Sequence, residues 1–84
     1  IRHLAPAYRC IAVDHLGFGL SDKPAGYDYS TPKHAETFEA FVRHLNLKRV
    51  TLVVHDFGGP IALPFALNFP DTVVRLVVVN SWLW

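Results

Sequence analysis

The chain has 84 residues, 51% of them hydrophobic, and a formal net charge of +1. That length admits at most one small domain, and the near-neutral balance gives no electrostatic reason to expect nucleic acid or an anionic membrane as partner. A single cysteine, Cys10, excludes an internal disulfide framework, and no apolar run reaches the roughly 18 residues that suggest a membrane span.

Residues 1–8 are too short and too broken for a signal peptide, and a cytoplasmic location is expected. They read as the end of a helix and a loop, closed by Pro6. Arg9 to Val13 is a short apolar run bounded by turn residues, which suits a strand buried on both faces. Asp14 to Tyr29 is rich in Gly, Pro, Asp and Ser and marks a long loop. Thr31 and Pro32 follow as helix N-cap and first helical residue, because proline has the right φ there and no N–H to waste. Ala35, Phe38, Val42 and Leu45 recur at helical spacing, and Asn46 suits a left-handed helix stop. Val50 to Val54 reads as a second strand, Gly58 to Phe69 as a second helix stopped by Pro70, and Val73 to Val79 as a third strand. Pro64 falls inside the second helix, where it removes a hydrogen bond and is expected to kink the axis.

Strand, helix, strand, helix, strand implies an α/β class with a parallel sheet and crossover helices. Unbroken Val, Ile and Leu runs belong to strands covered on both faces. Three strands and two helices would leave edges and faces open, and the apolar content is high for a free-standing domain of that shape. The chain contains no methionine and ends on Ser81-Trp82-Leu83-Trp84. It therefore reads as an internal piece of a longer protein, an incomplete domain spanning 1–84 without internal boundary.

The most informative stretch is Val53-Val54-His55-Asp56-Phe57-Gly58-Gly59. An apolar strand runs into it and an apolar helical pattern (Ile61, Ala62, Phe65, Ala66, Phe69) runs out. A strand that becomes a helix through small residues needs a tight turn, whose apex residue, Asp56, is held above the sheet in a strained conformation. Such an apex usually carries a nucleophile. The pattern differs from G-x-S-x-G in having Val54 for the first glycine and a carboxylate for the hydroxyl. A carboxylate needs no base to become a nucleophile, and a helix N-terminus favours negative charge beside it. Attack on an sp3 carbon bearing a leaving group would give an alkyl-enzyme ester, which water would then hydrolyse. The backbone N–H of Phe57 is placed to hold the oxyanion of that second step. The competing role for Asp56 is a helix N-cap; the strand before it and Gly58-Gly59 behind it favour the nucleophile.

Three stretches resemble the α/β-hydrolase fold, and within it the haloalkane dehalogenases and their epoxide-hydrolase relatives. Val13-Asp14-His15-Leu16-Gly17-Phe18-Gly19-Leu20-Ser21-Asp22-Lys23-Pro24 resembles the D-x-x-G-x-G-x-S loop after the family's fourth strand. Val54 to Gly59 resembles its nucleophile elbow with Asp as nucleophile. Asn80-Ser81-Trp82-Leu83-Trp84 resembles the segment after its sixth strand, where a cap domain begins. The resemblance implies a partial α/β-hydrolase fold with Asp56 as catalytic nucleophile and the Phe57 N–H as oxyanion donor. It also implies a small apolar electrophile and water as partners, and no cofactor or metal. Dehalogenases of this type usually have Trp directly after the nucleophile, whose indole N–H holds the departing halide, and Phe57 lacks that donor. An epoxide hydrolase with the same nucleophile is the alternative. The sixth strand ends in Asn80, an amide where some dehalogenases place their catalytic acid. The acid and the histidine base are therefore expected beyond Trp84, and residues 1–84 alone are expected to be inactive.

Gly17 and Gly19 lack the third glycine and following helix of a dinucleotide loop, so a structural role in the loop is expected for both. His3, His15, His34, His44 and His55 show no i, i+4 pair and no cysteine cluster, which argues against a metal site. His55 is expected to pack beneath the elbow rather than act as base. Trp82 and Trp84 suit either a pocket wall or core packing, and Phe38, Phe41, Phe65 and Phe69 are expected in the helix core.

Overall fold

A computed structural model describes residues 1–83; Trp84, and with it the choice between wall and core for that ring, lies outside the described residues. The elements run α1 (Thr31–His44), β1 (Val50–Asp56), α2 (Gly58–Asn68) and β2 (Val73–Ser81). β1 and β2 pair in parallel through the α2 crossover, with Leu52 opposite Leu76 and Val54 opposite Val78.

α1 begins one residue earlier than the sequence suggests. Ser30, in extended backbone, is the N-cap: its hydroxyl accepts from the Lys33 N–H at 3.3 Å, which puts Thr31 and Pro32 inside the first turn. The C-terminal stop is as expected. Asn46 adopts φ 54°, its N–H donates to the Arg43 carbonyl, and the Leu47 N–H donates to the Val42 carbonyl. This pair of bonds satisfies carbonyls that a helix end otherwise leaves open. α2 continues through Pro64, whose missing N–H leaves the Pro60 carbonyl without its helical donor.

Leu52 and Val54 of β1 meet Ala62 and Leu63 of α2 in the core, with Phe38, Val50, Ala66 and Val73 around them. α1 packs on the outer side of α2, where Phe38 meets Phe65 edge-on, ring centroids 6.0 Å apart. Phe65 is buried, whereas Phe38, Phe41 and Phe69 are half-buried at the margin.

Three expectations are corrected. Arg9 to Val13 forms no strand among the described residues, so the sheet has two strands rather than three. Ile11 and Val13 are each 42% exposed. An apolar run forms a strand only where a neighbour pairs with its backbone, and none of the described residues does so here. Secondly, among the described residues α2 covers one face of β1, and β2 stays largely exposed on both faces. Leu52 and Val54 point to α2, while Thr51, Val53 and His55 alternate to the uncovered face, leaving Val53 64% exposed. Thirdly, for the same reason, His55 is exposed rather than packed beneath the elbow.

Candidate active site

β1 passes into α2 through Asp56 and Phe57 alone. Asp56 adopts φ 51°, a left-handed conformation costly for any residue with a Cβ. That strain follows from the local sequence: the chain must leave an extended strand and enter a helix within two residues. The N-cap position of α2 falls on Phe57, whose side chain makes no capping hydrogen bond, and Asp56 lies one residue before it. The carboxylate stands exposed at the carboxyl end of a parallel strand, where ligand sites lie in open α/β sheets. Phe57 leads into the first turn of α2, whose N–H groups have no intrahelical acceptor.

The neighbouring strand end is shaped to the same turn. His55 pairs with Val79 but Asp56 pairs with Ser81, so Asn80 is an extra, bulged residue, and it too is left-handed at φ 43°. A bulge of this kind bends the strand end and re-aims the next side chains. The Ser81 hydroxyl then donates to the Asp56 carbonyl at 2.6 Å, tying the two strand ends together behind the exposed carboxylate. Gly59 permits the approach. A Cβ there would collide with the Ser81 hydroxyl and the Trp82 carbonyl oxygen, and would lie 3.1 Å from the Trp82 nitrogen. Gly58 faces only the Val54 side chain, at 3.7 Å from its Cβ. Of the two glycines behind the apex, Gly59 is the one that the geometry requires. Trp82 is half-buried, and its ring meets that of Phe57 edge-to-face at 5.2 Å, while Phe57 itself remains 56% exposed.

The glycine loop has the structural role expected of it. Gly17 (φ 87°) and Gly19 (φ 49°) are both left-handed, and a Cβ on Gly19 would strike the Asp14 carboxylate. That carboxylate accepts from the Leu20 N–H at 3.0 Å, and the Asp14 carbonyl accepts from the Ser21 hydroxyl. Lys23 closes the loop by donating to the Gly19 carbonyl at 2.7 Å. An open hollow of about 470 Å³ separates this loop from α2, with Phe18, Tyr29, His34, Phe57 and Ile61 among its walls. Asp56 is not among those lining residues, so the hollow is flanked by the elbow rather than centred on the carboxylate.

Sequence reasoning missed the anchor of that hollow. His34, 5% exposed, is the buried polar residue of α1, set 3.4 Å from the Tyr27 hydroxyl, which also bonds Thr37 at 2.8 Å. His15 and His34 stack edgewise at 5.9 Å. The usable signal was the i, i+4, i+8 spacing of His34, Phe38 and Val42, which continues the core stripe through a histidine. Burial holds the His15 pKa below the ordinary 6.5, the nearby His34 lowers it further, and Asp14 partly opposes both. As pH falls, the unfolded chain therefore takes up a proton at position 15 before the folded one. The stabilisation is complete above about pH 6.5 and declines below it. Thermal melts across that range are expected to show the decline, and His15→Gln is expected to flatten it.

A family profile described as alpha/beta hydrolase fold matches residues 1–83. Over 81 residues the chain is 42% identical to haloalkane dehalogenase 2 of Mycobacterium bovis, covering 96% of this chain and 28% of that protein. It is 44% identical over 81 residues to a cis-3-alkyl-4-alkyloxetan-2-one decarboxylase of Shewanella oneidensis, covering 93% and 26% respectively. Among solved structures, a mutant haloalkane dehalogenase from Agrobacterium tumefaciens superposes with a TM-score of 0.75 at 31% identity, over 81% of this chain and 23% of that one. A probable hydrolytic enzyme from Pseudomonas aeruginosa gives 0.78 at 39%, over 95% and 27%. The chain thus spans about a quarter of the length of the relatives it matches.

Proposed function

The chain belongs to the α/β-hydrolase fold family, and we propose that the full-length protein is a haloalkane-dehalogenase-like hydrolase in which Asp56 is the nucleophile. The observation that carries this reading is the left-handed φ of 51° at an exposed Asp that ends the strand just before the helix. A strained residue persists where surrounding structure over-determines it, and such residues cluster at active sites. In the first step an Asp56 Oδ forms a bond to an sp3 carbon as the leaving group departs with its electron pair. In the second, water adds to the Asp56 carboxyl carbon, giving its proton to a histidine base expected outside these residues. The Phe57 N–H stabilises the oxyanion until it collapses and releases an alcohol. Dehalogenase names among the relatives support a halide as leaving group.

Phe57 supports a second reading. A phenyl ring offers no hydrogen-bond donor, so the position after the nucleophile gives a free halide no N–H side chain. An electrophile whose leaving oxygen stays attached, such as an epoxide or a four-membered lactone, leaves no separate ion to capture. A decarboxylase named for an oxetan-2-one is among the relatives. Either electrophile forms an ester at Asp56, and quenching the full-length protein during turnover is expected to leave the alkyl group on the peptide that contains it.

A further inference from the structure

The bulge in β2 decides which side chain meets the elbow. Val54 and His55 pair in step with Val78 and Val79, and unbroken register would set Asn80 opposite Asp56. The extra residue sets Ser81 there instead, and its hydroxyl donates to the Asp56 carbonyl at 2.6 Å. Asn80 takes φ 43° at this point, a conformation that costs free energy in a residue with a Cβ. Gly59 makes room, because a Cβ at 59 would strike the Ser81 hydroxyl. These departures from regular structure converge on one hydrogen bond. That bond acts on the next amide. The Asp56 carbonyl and the Phe57 N–H belong to one peptide unit, which is planar and trans. Its C=O and N–H therefore point in opposite directions. Anchoring the carbonyl toward β2 turns the Phe57 N–H away from β2, and among the described residues no backbone carbonyl accepts from that N–H. A carbonyl that accepts a hydrogen bond also makes its own amide N–H a stronger donor, since the bonds polarise the unit they share. Without the anchor, the unit pivots on its two soft flanking torsions, ψ of Asp56 and φ of Phe57.

We propose that Ser81 is a positioning residue for the second step of the reaction, its hydroxyl holding the Asp56–Phe57 peptide unit so that the Phe57 N–H meets the oxyanion. This rests on Asp56 being the nucleophile. In that step the water oxygen bonds to the Asp56 carboxyl carbon, its proton passes to the histidine base, and the carbonyl π pair moves onto oxygen. The oxyanion then returns its pair and the bond from the carboxyl carbon to the alkyl oxygen breaks. The alcohol leaves with the proton held by the base. Ser81 transfers no proton and forms no bond to substrate. Ester formation makes a different demand. The attacking carboxylate loses negative charge, so a donor aimed at it stabilises the reactant at least as well as the transition state. Ser81 therefore serves hydrolysis of the ester and not its formation.

The test uses the full-length protein in rapid-quench single turnovers of 1-bromobutane, reading bromide release for ester formation and 1-butanol release for hydrolysis. Ser81→Ala is expected to release bromide within about twofold of the unsubstituted rate and 1-butanol about tenfold more slowly or worse. The butyl group is then expected to accumulate on the peptide containing Asp56, where mass spectrometry reads it. Ser81→Thr and Ser81→Val are close in volume and differ in the hydroxyl. Threonine is expected to restore hydrolysis and valine to leave it slow, a comparison that stands however Ser81→Ala folds. A residue that only ties the strand ends together would slow both steps alike on removal, and that result would overturn the proposal. Unaltered 1-butanol release in Ser81→Ala, or equal hydrolysis rates in the threonine and valine variants, would overturn it as well. Failure of the nucleophile reading looks different: bromide and 1-butanol appear together, and no butyl ester forms at Asp56 in any of these proteins.

Discussion

Asp56→Asn in the full-length protein is expected to lower kcat by about 10⁴-fold or more while leaving the fold in place. The size follows from the role: a residue that forms the covalent intermediate has no stand-in, and loss of a nucleophile typically removes nearly the whole chemical acceleration. Asparagine is the informative replacement because it separates the two readings of the position. It caps helices about as well as aspartate and tolerates a left-handed φ as readily, so a capping residue would survive the change with activity intact. Its amide is a far poorer nucleophile, so a catalytic one would not. Asp56→Ala adds strain at φ 51° and is expected to be equally inactive and also less stable. Steady-state rates with melting temperatures for both variants make the comparison. An active Asp56→Asn protein would return Asp56 to a structural role.

Gly59→Val is expected to destabilise the fold by about 3 kcal/mol or more, against little change or a small gain for Gly58→Ala. The two glycines are adjacent in sequence but differ in what surrounds them. A side chain at 59 would press on the Trp82 main chain and the Ser81 hydroxyl, atoms fixed by the strand end and by the hydrogen bond to Asp56. Backbone cannot swing aside as a flexible side chain can, and overpacking of this kind is among the larger single-residue penalties. At 58 a methyl group meets Val54 at ordinary contact distance, and alanine favours a helix over glycine by up to about 1 kcal/mol. Denaturant midpoints for the two variants report the contrast. A tolerated Gly59→Val would mean that the strand end does not lie against α2.

The elbow was legible because its signals are local. An apolar strand, a carboxylate and two small residues before a helical pattern define a turn whatever surrounds it, and the left-handed φ at Asp56 follows from that brevity. The left-handed stop at Asn46 and the roles of Gly17 and Gly19 were legible for the same reason. What the sequence could not convey depends on neighbours. Arg9 to Val13 reads as a strand by composition, but pairing needs a partner backbone, and none of the described residues provides one. His55 reads as packed only if both faces of β1 are covered, and α2 covers one. The Asn80 bulge is a matter of register between β1 and β2. Nothing in Val73 to Ser81 alone announces an extra residue, so the turn of Trp82 toward Phe57 emerges only once the two strands are paired. His34 shows the remaining limit: hydrophobic periodicity passes over a buried histidine whose partner, Tyr27, lies in a loop.

The most direct test of Asp56 as nucleophile is a single turnover of the full-length protein, in excess over an alkyl halide, in water enriched in oxygen-18. Attack through the carboxylate predicts that the first alcohol released carries an ordinary oxygen, taken from Asp56. The label then appears in the Asp56 side chain of the digested protein. Direct attack by water predicts the reverse, with oxygen-18 in the first alcohol and none in the peptide containing Asp56, and that result would contradict the account.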